Sequence, residues 1–457
     1  MKQVFASLRS GDWKALLACF LYFDTGFTAW VMFGPLAPYI TGQLALSPAQ
    51  SGFLVAVPVL SAAIVRVTLG NAFQSLDGRL LALFGIALSS IPSLVLLLPI
   101  TPSYQALLLL GTLLGVGGAS FAIALPMAGS SYPPRVQGLV LGLAAAGNIG
   151  AVVDGFLFPG LAQHYGWQRA TAAVLPLLAL TAVAVLVWAR DSSPKSGSGG
   201  RALVGFGISL FGVAALVLAV SAGVFGQGKT GLLLLPVLGS ALALAVLPGK
   251  YLAVLRERDT WIVMLVYSIT FGGFVGMSSY VSLLLTAQYT LSKVHAGMIM
   301  AALSFTGALV RPVGGLLADR LSGVRVLLLL LSLIACSNFS LAVYSPPLEG
   351  TVALLTVLYA CFGLGNGATF QLVPHRWRGK TGLMTGIIGA AGGIGGFYLP
   401  VIMGIAKEST GSYQLGFATF GCLATLAFML VVALHRQWLA WCDPRRAGSQ
   451  VVAALAE

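Results

Sequence analysis

Runs of twenty or more apolar residues recur along the whole chain, and no water-soluble fold of 457 residues has a use for so many of them. A bilayer core about 30 Å thick is crossed by roughly 20 residues of helix at about 1.5 Å each. Lipid offers backbone amides no partner, so segments of this length must bond within themselves and form helices. The runs lie near 15–41, 49–74, 80–100, 104–132, 136–162, 169–189, 202–224, 231–249, 260–287, 296–318, 324–344, 350–373, 381–406 and 412–435, fourteen in all. A composition 58% hydrophobic and 8% charged leaves too few polar residues to clothe a soluble exterior. The first run is too long for a signal-peptide core and no A-x-A-type site follows it, so it stays in the chain as a helix. The expected fold class is an all-α, multi-pass membrane protein.

Charge placement sets the expected orientation. With the N-terminus inside, 19 of the 25 Lys and Arg fall on the cytoplasmic side, and Arg169, Lys229, Lys293 and Lys407 fall outside. That bias places both termini in the cytoplasm. The basic residues then act as topology anchors, so the net charge of +13 implies no nucleic-acid partner. The five cysteines (Cys19, Cys336, Cys361, Cys422, Cys442) have no C-x-x-C spacing and read as free thiols. His164, His295, His375 and His435 are scattered, so neither a metal nor a cofactor is expected. No G-x-x-x-x-G-K-[ST] occurs to support nucleotide-driven transport.

The chain repeats itself. GVGGASFAIALP (115–126) resembles GLGNGATFQLVP (363–374), each followed by a basic loop and then by GLVLG (138–142) or GLMTG (382–386). Next come AGNIG (146–150) and AGGIG (391–395), leading to Pro159 and Pro400. Two like-ordered six-helix halves with a site at their interface describe a parallel-repeat transporter. The expected organisation is a half at 1–190, a linker with an inserted two-helix hairpin at 191–259, a second half at 260–436 and a cytoplasmic tail at 437–457. The polar stretch from Asp191 to Arg201, which contains SPKSGSGGR (193–201), reads as a flexible linker, and GQGKTG (226–231) splits the hairpin.

Arginine is costly inside such helices, yet Arg66 (SAAIVRVTLG) and Arg311 (TGALVRPVGG) occupy matching places, each four residues before a glycine, Gly70 or Gly315. Each costs about 2.5–3.5 kcal/mol on insertion scales. Two cations lining one interior attract an anion. The bland alternatives are that Arg66 pairs permanently with Asp24, that the glycine blocks serve packing alone, that Asn148 ties helices together, and that Phe121 and Phe271 merely pack.

GGLLADRLSGVRVLL (314–328) resembles the cytoplasmic loop motif of the major facilitator superfamily, and LVRPVGG, AGNIG, AGGIG and YSITFGGF (267–274) together resemble its nitrate/nitrite porter family. The resemblance spans nearly everything but about 195–250. The first-half loop motif departs from the pattern: GNAFQSLDGR (70–79) has Gln74 where the family has aspartate. By this resemblance the fold is two six-helix halves plus the inserted hairpin. The anion site comprises Arg66, Arg311, Asn148, Tyr267, Phe121 and Phe271, with Gly147 and Gly392 in the signature blocks; Asp77, Arg79, Asp319 and Arg320 form the conformational loops. The substrates are nitrate and nitrite, carried by a monomer of the cell (inner) membrane in nitrate assimilation. The site residues lie about 7–12 positions from the cytoplasmic span ends, or roughly 10–18 Å deep.

Nitrate suits such a site. A guanidinium fork donates two parallel hydrogen bonds to a planar oxyanion, Asn148 and Tyr267 offer neutral donors, and aromatic rings cover the anion's faces. Nitrate does not protonate near neutral pH, so proton symport needs a protein carboxylate. Asp24 and Asp154 are the acidic residues inside spans. Asp24 shares the depth of Arg66; Asp154 lies six residues beyond Asn148, about 240° round the helix, and so does not face the site with it. Symport and nitrate/nitrite exchange both fit. The other readings are a carrier of a different small anion, a drug exporter (fourteen spans are frequent there), or a transport-inactive membrane sensor.

Overall fold

The structure is a computed structural model that describes residues 11–133, 137–225, 229–377 and 379–442. Its described residues fold into helices and no strand. They are α1 (Trp13–Val31), α2 (Phe33–Leu44), α3 (Pro48–Phe73), α4 (Gly78–Leu96), α5 (Tyr104–Ala119), α6 (Phe121–Ser130), α7 (Gln137–Ala145), α8 (Gly150–Tyr165), α9 (Trp167–Thr171), α10 (Val174–Trp188), α11 (Gly199–Ser221), α12 (Thr230–Val246), α13 (Gly249–Leu255), α14 (Arg258–Tyr289), α15 (Lys293–Leu321), α16 (Gly323–Tyr344), α17 (Leu348–Arg376), α18 (Thr381–Thr410) and α19 (Gln414–Leu439). Short 3-10 turns follow α7 (Ala146–Ile149) and α19 (Ala440–Cys442).

Among the described residues thirteen stretches are long and apolar enough to cross a membrane, several built from two helices in line; α12 is apolar but shorter, at 17 residues. Of the expected tail, 443–457 lie outside the described residues, as do 226–228 of the hairpin turn.

Local chemistry sets the breaks. The first span divides at Met32 because Pro35 and Pro38 cannot donate to the carbonyls a turn behind them. The fourth divides at Ser120, after the glycines of GVGGA. Helix starts are capped: Ser47 with Gln50 forms a capping box ahead of Pro48, and Asp12, Asp77 and Ser292 cap α1, α4 and α15.

The repeat dictates the packing. The Arg66 helix, α3, lies against α18, the AGGIG helix of the other half; the Arg311 helix, α15, lies against α8, which continues from AGNIG. α2 meets α14 between them. Glycines let these backbones touch. A β-carbon at Gly155 would lie 2.6 Å from Gly297 O, and one at Gly52 2.4 Å from Pro400 O.

The halves meet from mid-bundle to the far end, the end opposite Trp13 and Leu439. There Glu408 of α18 accepts from Ser47 Oγ (2.6 Å) and Ala49 N (3.1 Å), and Tyr39 Oη donates to Pro159 O (2.8 Å) beneath the Lys293 ammonium. At the near end the seam parts. Gly382 and Gly386 sit seven residues before Gly389 and Gly393, on the stripe that meets α3, yet open space faces them.

One expectation changes. The segment 191–198 is strapped down rather than free: Asp191 accepts from Gly78 N (2.7 Å) and pairs with Lys195 (2.6 Å), and Ser196 N donates to Gln74 O (2.7 Å). Its polar side chains and backbone serve the loop before α4. The hairpin α11–α12 packs on the outside of α3 and α5, and its far end reaches the second half through Lys229 to Ser409 Oγ (2.8 Å) and Tyr398 Oη to Leu233 O (2.8 Å).

Candidate functional site

Arg66 and Arg311 come to one place. Their guanidinium carbons lie 5.8 and 5.9 Å from the centre of the Phe271 ring, hence at most about 12 Å apart. Each arrives on a helix of a different half, and α14 threads Phe271 between them. Arg66 is 1% exposed and Arg311 9%, so both are largely removed from water.

Arg66 is held by carbonyls. Nη1 donates to Gly389 O (3.0 Å) across the seam and Nη2 to Gly118 O (2.7 Å), beside the helix break at Ser120. Phe121 (5.2 Å) and Trp30 (5.7 Å) flank the guanidinium, and Nε has no partner. No ion pair joins Arg66 to Asp24 among the described residues. The permanent-pair alternative therefore has no contact behind it. Arg311 faces the Tyr267 hydroxyl and keeps Nη1 free of any partner. Two buried N–H groups aimed at nothing are expensive unless something else accepts from them.

Tyr267 and Phe271 stack in parallel (5.1 Å, 4°), one turn apart on α14. Gly392 makes room for them: a β-carbon there would fall 2.7 Å from Tyr267 Cδ1 and 2.8 Å from Phe271 Cδ1. Asn148 sits in the 3-10 turn Ala146–Ile149, is 1% exposed and has an unpartnered Oδ1; the turn packs on α1 and on the Arg311 helix.

Not every expected residue gathers here. A β-carbon at Gly147 would lie 2.8 Å from Phe23 Cδ1 and 2.9 Å from Asp24 N, so this glycine seats the turn on α1. No ion pair joins Asp24 or Asp154 to either guanidinium among the described residues. Of the loop residues, Asp77 caps α4 and Arg79 donates to Leu186 O (2.6 Å), while exposed Asp319 and Arg320 form no ion pair among the described residues.

Sequence reasoning overlooked several contributors. Trp30 and the carbonyls of Gly118 and Gly389 hold Arg66, and carbonyls leave no mark in composition. Asn366, which stands in the second repeat where Gly118 stands in the first, and Thr270 beside Phe271 are buried with unpartnered oxygens. The GLGNG block carried the signal for Asn366. The near-end cluster in which Arg376 holds Glu257 (2.8 Å) and Asp259 (3.0 Å) joins α14 to α17 and was read only as topology charge.

Comparison with known proteins places these observations. The Major Facilitator Superfamily profile matches residues 18–376. The chain is 30% identical over 417 residues to the "Nitrite extrusion protein" of Bacillus subtilis (strain 168), covering 91% of each chain. It is 31% identical over 411 residues to the "Probable nitrate/nitrite transporter NarK2" of Mycobacterium tuberculosis (strain CDC 1551 / Oshkosh), covering 90% of this chain and 92% of the other. It is 26% identical to the "Probable nitrate transporter NarT" of Staphylococcus haemolyticus (strain JCSC1435), covering 90% and 94%. Among solved structures, a bacterial homolog of the human lysosomal transporter Spinster, inward-facing and occupied, superposes with a TM-score of 0.64 at 15% identity, covering 94% of this chain and 98% of that one; it speaks for the fold alone.

Proposed function

The chain belongs to the major facilitator superfamily, and from that premise we propose that it carries nitrate and nitrite across the cell membrane by alternating access, with both termini in the cytoplasm. Its relatives named as nitrate and nitrite carriers support the substrate class. The observation that carries the site is the arginine pair about Phe271, each with an N–H that no protein atom accepts.

The chemistry follows from that geometry. Two guanidiniums at most about 12 Å apart repel by at least on the order of 1 kcal/mol at an effective dielectric near 20. A monovalent planar anion between them removes the repulsion and accepts from both forks. The parallel rings of Tyr267 and Phe271 offer a flat wall, and Asn148 and Tyr267 offer neutral hydrogen bonds. Larger or more hydrated anions lose this fit.

The halves rock about this fixed site. The conformation described has its far-end seam shut and its near end parted, which corresponds to an inward-facing carrier if the near end is cytoplasmic. An empty site keeps two like charges unscreened and resists closing. An anion lets it close, so nitrate in one direction and nitrite in the other is one mode. A proton taken up elsewhere on the protein is the second. The hairpin, outside α3 and α5 and away from the arginines, gives a drug-export reading no support.

The test is Arg66→Lys and Arg311→Lys in purified protein. Lysine keeps the charge and loses the fork. Each should weaken nitrate transport at least tenfold, as expected for a charge-assisted bidentate contact of about 1.5–3 kcal/mol. Near-normal nitrate affinity in both folded variants would overturn the site.

A further inference from the structure

Asp154 is 0% exposed, and neither carboxyl oxygen has a hydrogen-bond partner. It stands on α8 immediately before Gly155, whose β-carbon position is 2.6 Å from Gly297 O and 2.8 Å from the Ala301 side chain on α15 of the other half. Asp154 therefore stands beside the seam that closes the far end, about 100° round the helix from the glycine that makes the contact. One turn earlier on the same helix, a β-carbon at Gly150 would lie 2.6 Å from the backbone carbonyl oxygen of Asp24 on α1, so this face of α8 is seated on the Asp24 turn. Asp24 is half-buried, its Oδ1 has no partner, and its charge acts on the Asp154 carboxyl.

The surroundings supply no cation to either acid. The helices packed on α8 bring Lys293, His295 and Arg311 from α15, Tyr39 from α2 and Arg169 from α9, yet none of them pairs with Asp154 among the described residues, and the charge that acts on it is that of Asp24. Tyr39 is committed to Pro159 O. Around Asp24, Arg66 from α3, Tyr104 from α5 and Tyr267 and Tyr280 from α14 make no hydrogen bond to its side chain, and no ion pair among the described residues reaches either acid. An unpaired carboxylate in hydrocarbon costs several kcal/mol, and two side by side cost more; the neutral acid escapes that penalty.

We propose that Asp154 and Asp24 form a proton-binding pair that carries the coupled proton, apart from the anion site and opened by the same rocking motion. When the α8–α15 seam opens, Asp154 meets water at the far end and takes a proton. When the seam shuts, the proton is sealed in as an O–H on the pair. It leaves through half-buried Asp24 to water at the near end, which is parted in this conformation. The balance is one H+ moved from one water phase to the other, with only an O–H bond made and broken. One nitrate with one proton moves no net charge. No group of three metal-binding side chains includes the pair among the described residues.

This inference rests on the anion-carrier reading, and two assays on the full chain in proteoliposomes separate them. The first is counterflow of labelled nitrate at equal pH, which needs only the loaded carrier to turn over. The second is nitrate accumulation driven by a pH gradient, with an internal pH dye. Wild type should do both, and Asp154→Asn should keep counterflow within about threefold while accumulation and nitrate-linked proton entry fall at least tenfold. Asp24→Asn should do the same, and Asp154→Glu should restore part of the accumulation. If Asp154→Asn does not assemble, Asp24→Asn and Asp154→Glu decide the matter with the same readouts. Full pH-driven accumulation in the folded asparagine variants overturns the pair. So does wild-type accumulation that follows a sodium gradient, or wild-type counterflow with no nitrate-linked proton movement. Absence of wild-type counterflow overturns the anion-carrier reading instead.

Discussion

Gly52→Ala should shift the carrier away from the conformation described here without weakening its fold. Gly52 lies near the far end of α3, and a methyl group there would sit 2.4 Å from Pro400 O on α18, about 1 Å inside the 3.4 Å at which ordinary contact begins. The obstruction is backbone, so it cannot swing aside. Overpacking of this kind costs about 1–3 kcal/mol. The contact crosses the seam between the halves, so the cost falls only on the far-end-closed state and not on the open one. A bias of 1–3 kcal/mol moves a two-state equilibrium by roughly 5- to 150-fold. Gly395→Ala is the control. Its methyl would lie 2.2 Å from Ser268 O, a comparable clash, but α14 and α18 belong to the same half and stay together throughout the cycle. Spin labels at His164 and Thr290, exposed far-end positions of the two halves, read the distance between halves in a background without native cysteines. Gly52→Ala should enrich the longer distances at a near-normal melting temperature. Gly395→Ala should lower the melting temperature and leave the distances alone. A distance distribution unchanged in Gly52→Ala, with a loss of melting temperature matching Gly395→Ala, would refute the assignment of that contact to a moving seam.

Two further outcomes follow from the near end and the hairpin. Burial pushes the Asp191 carboxyl up, but Lys195, the Gly78 amide and Ser193 together outweigh it and hold it below the usual carboxylate value. A group lowered in the folded state contributes stability above its unfolded value, near pH 4, and loses it as the pH falls through the lower folded value. Asp191→Asn should thus lower the thermal stability at pH 7, and the gap to wild type should narrow below pH 4 in melting scans. Cysteine introduced at Val224 should react with an impermeant thiol reagent from outside intact cells, and cysteine at Ser196 only after lysis; labelling of Val224 from the cytoplasm alone would mean that the hairpin does not cross.

Much of the architecture is written in local pattern. Apolar runs of bilayer length have no alternative to helix, so the spans could be placed to within a few residues, including the hairpin. The paired arginines stood out because charge inside such a run is costly, and the repeat of GVGGASFAIALP in GLGNGATFQLVP paired the halves before any contact was known. What helical periodicity cannot say is which helix meets which face. It placed Asp154 away from Asn148 but could not show that its neighbour Gly155 meets α15 or that Gly150, one turn before it, meets Asp24. It grouped Gly147 with the anion site but could not show that the turn at Ala146–Ile149 seats this glycine on α1. It offered Asp24 as a counter-ion for Arg66, whose hydrogens go instead to the carbonyls of Gly118 and Gly389, one of them across the seam. It read 191–201 as a free tether because serine and glycine are flexible alone, and only the folded loop before α4 provides the Gly78 amide and Gln74 carbonyl that tie the segment down. Sequence alone determined what must lie in the membrane and what is unusual there. Tertiary packing decided the partners, because backbone carbonyls and approaching glycines carry no side-chain signature and become a site only when two distant helices are brought within a few ångströms.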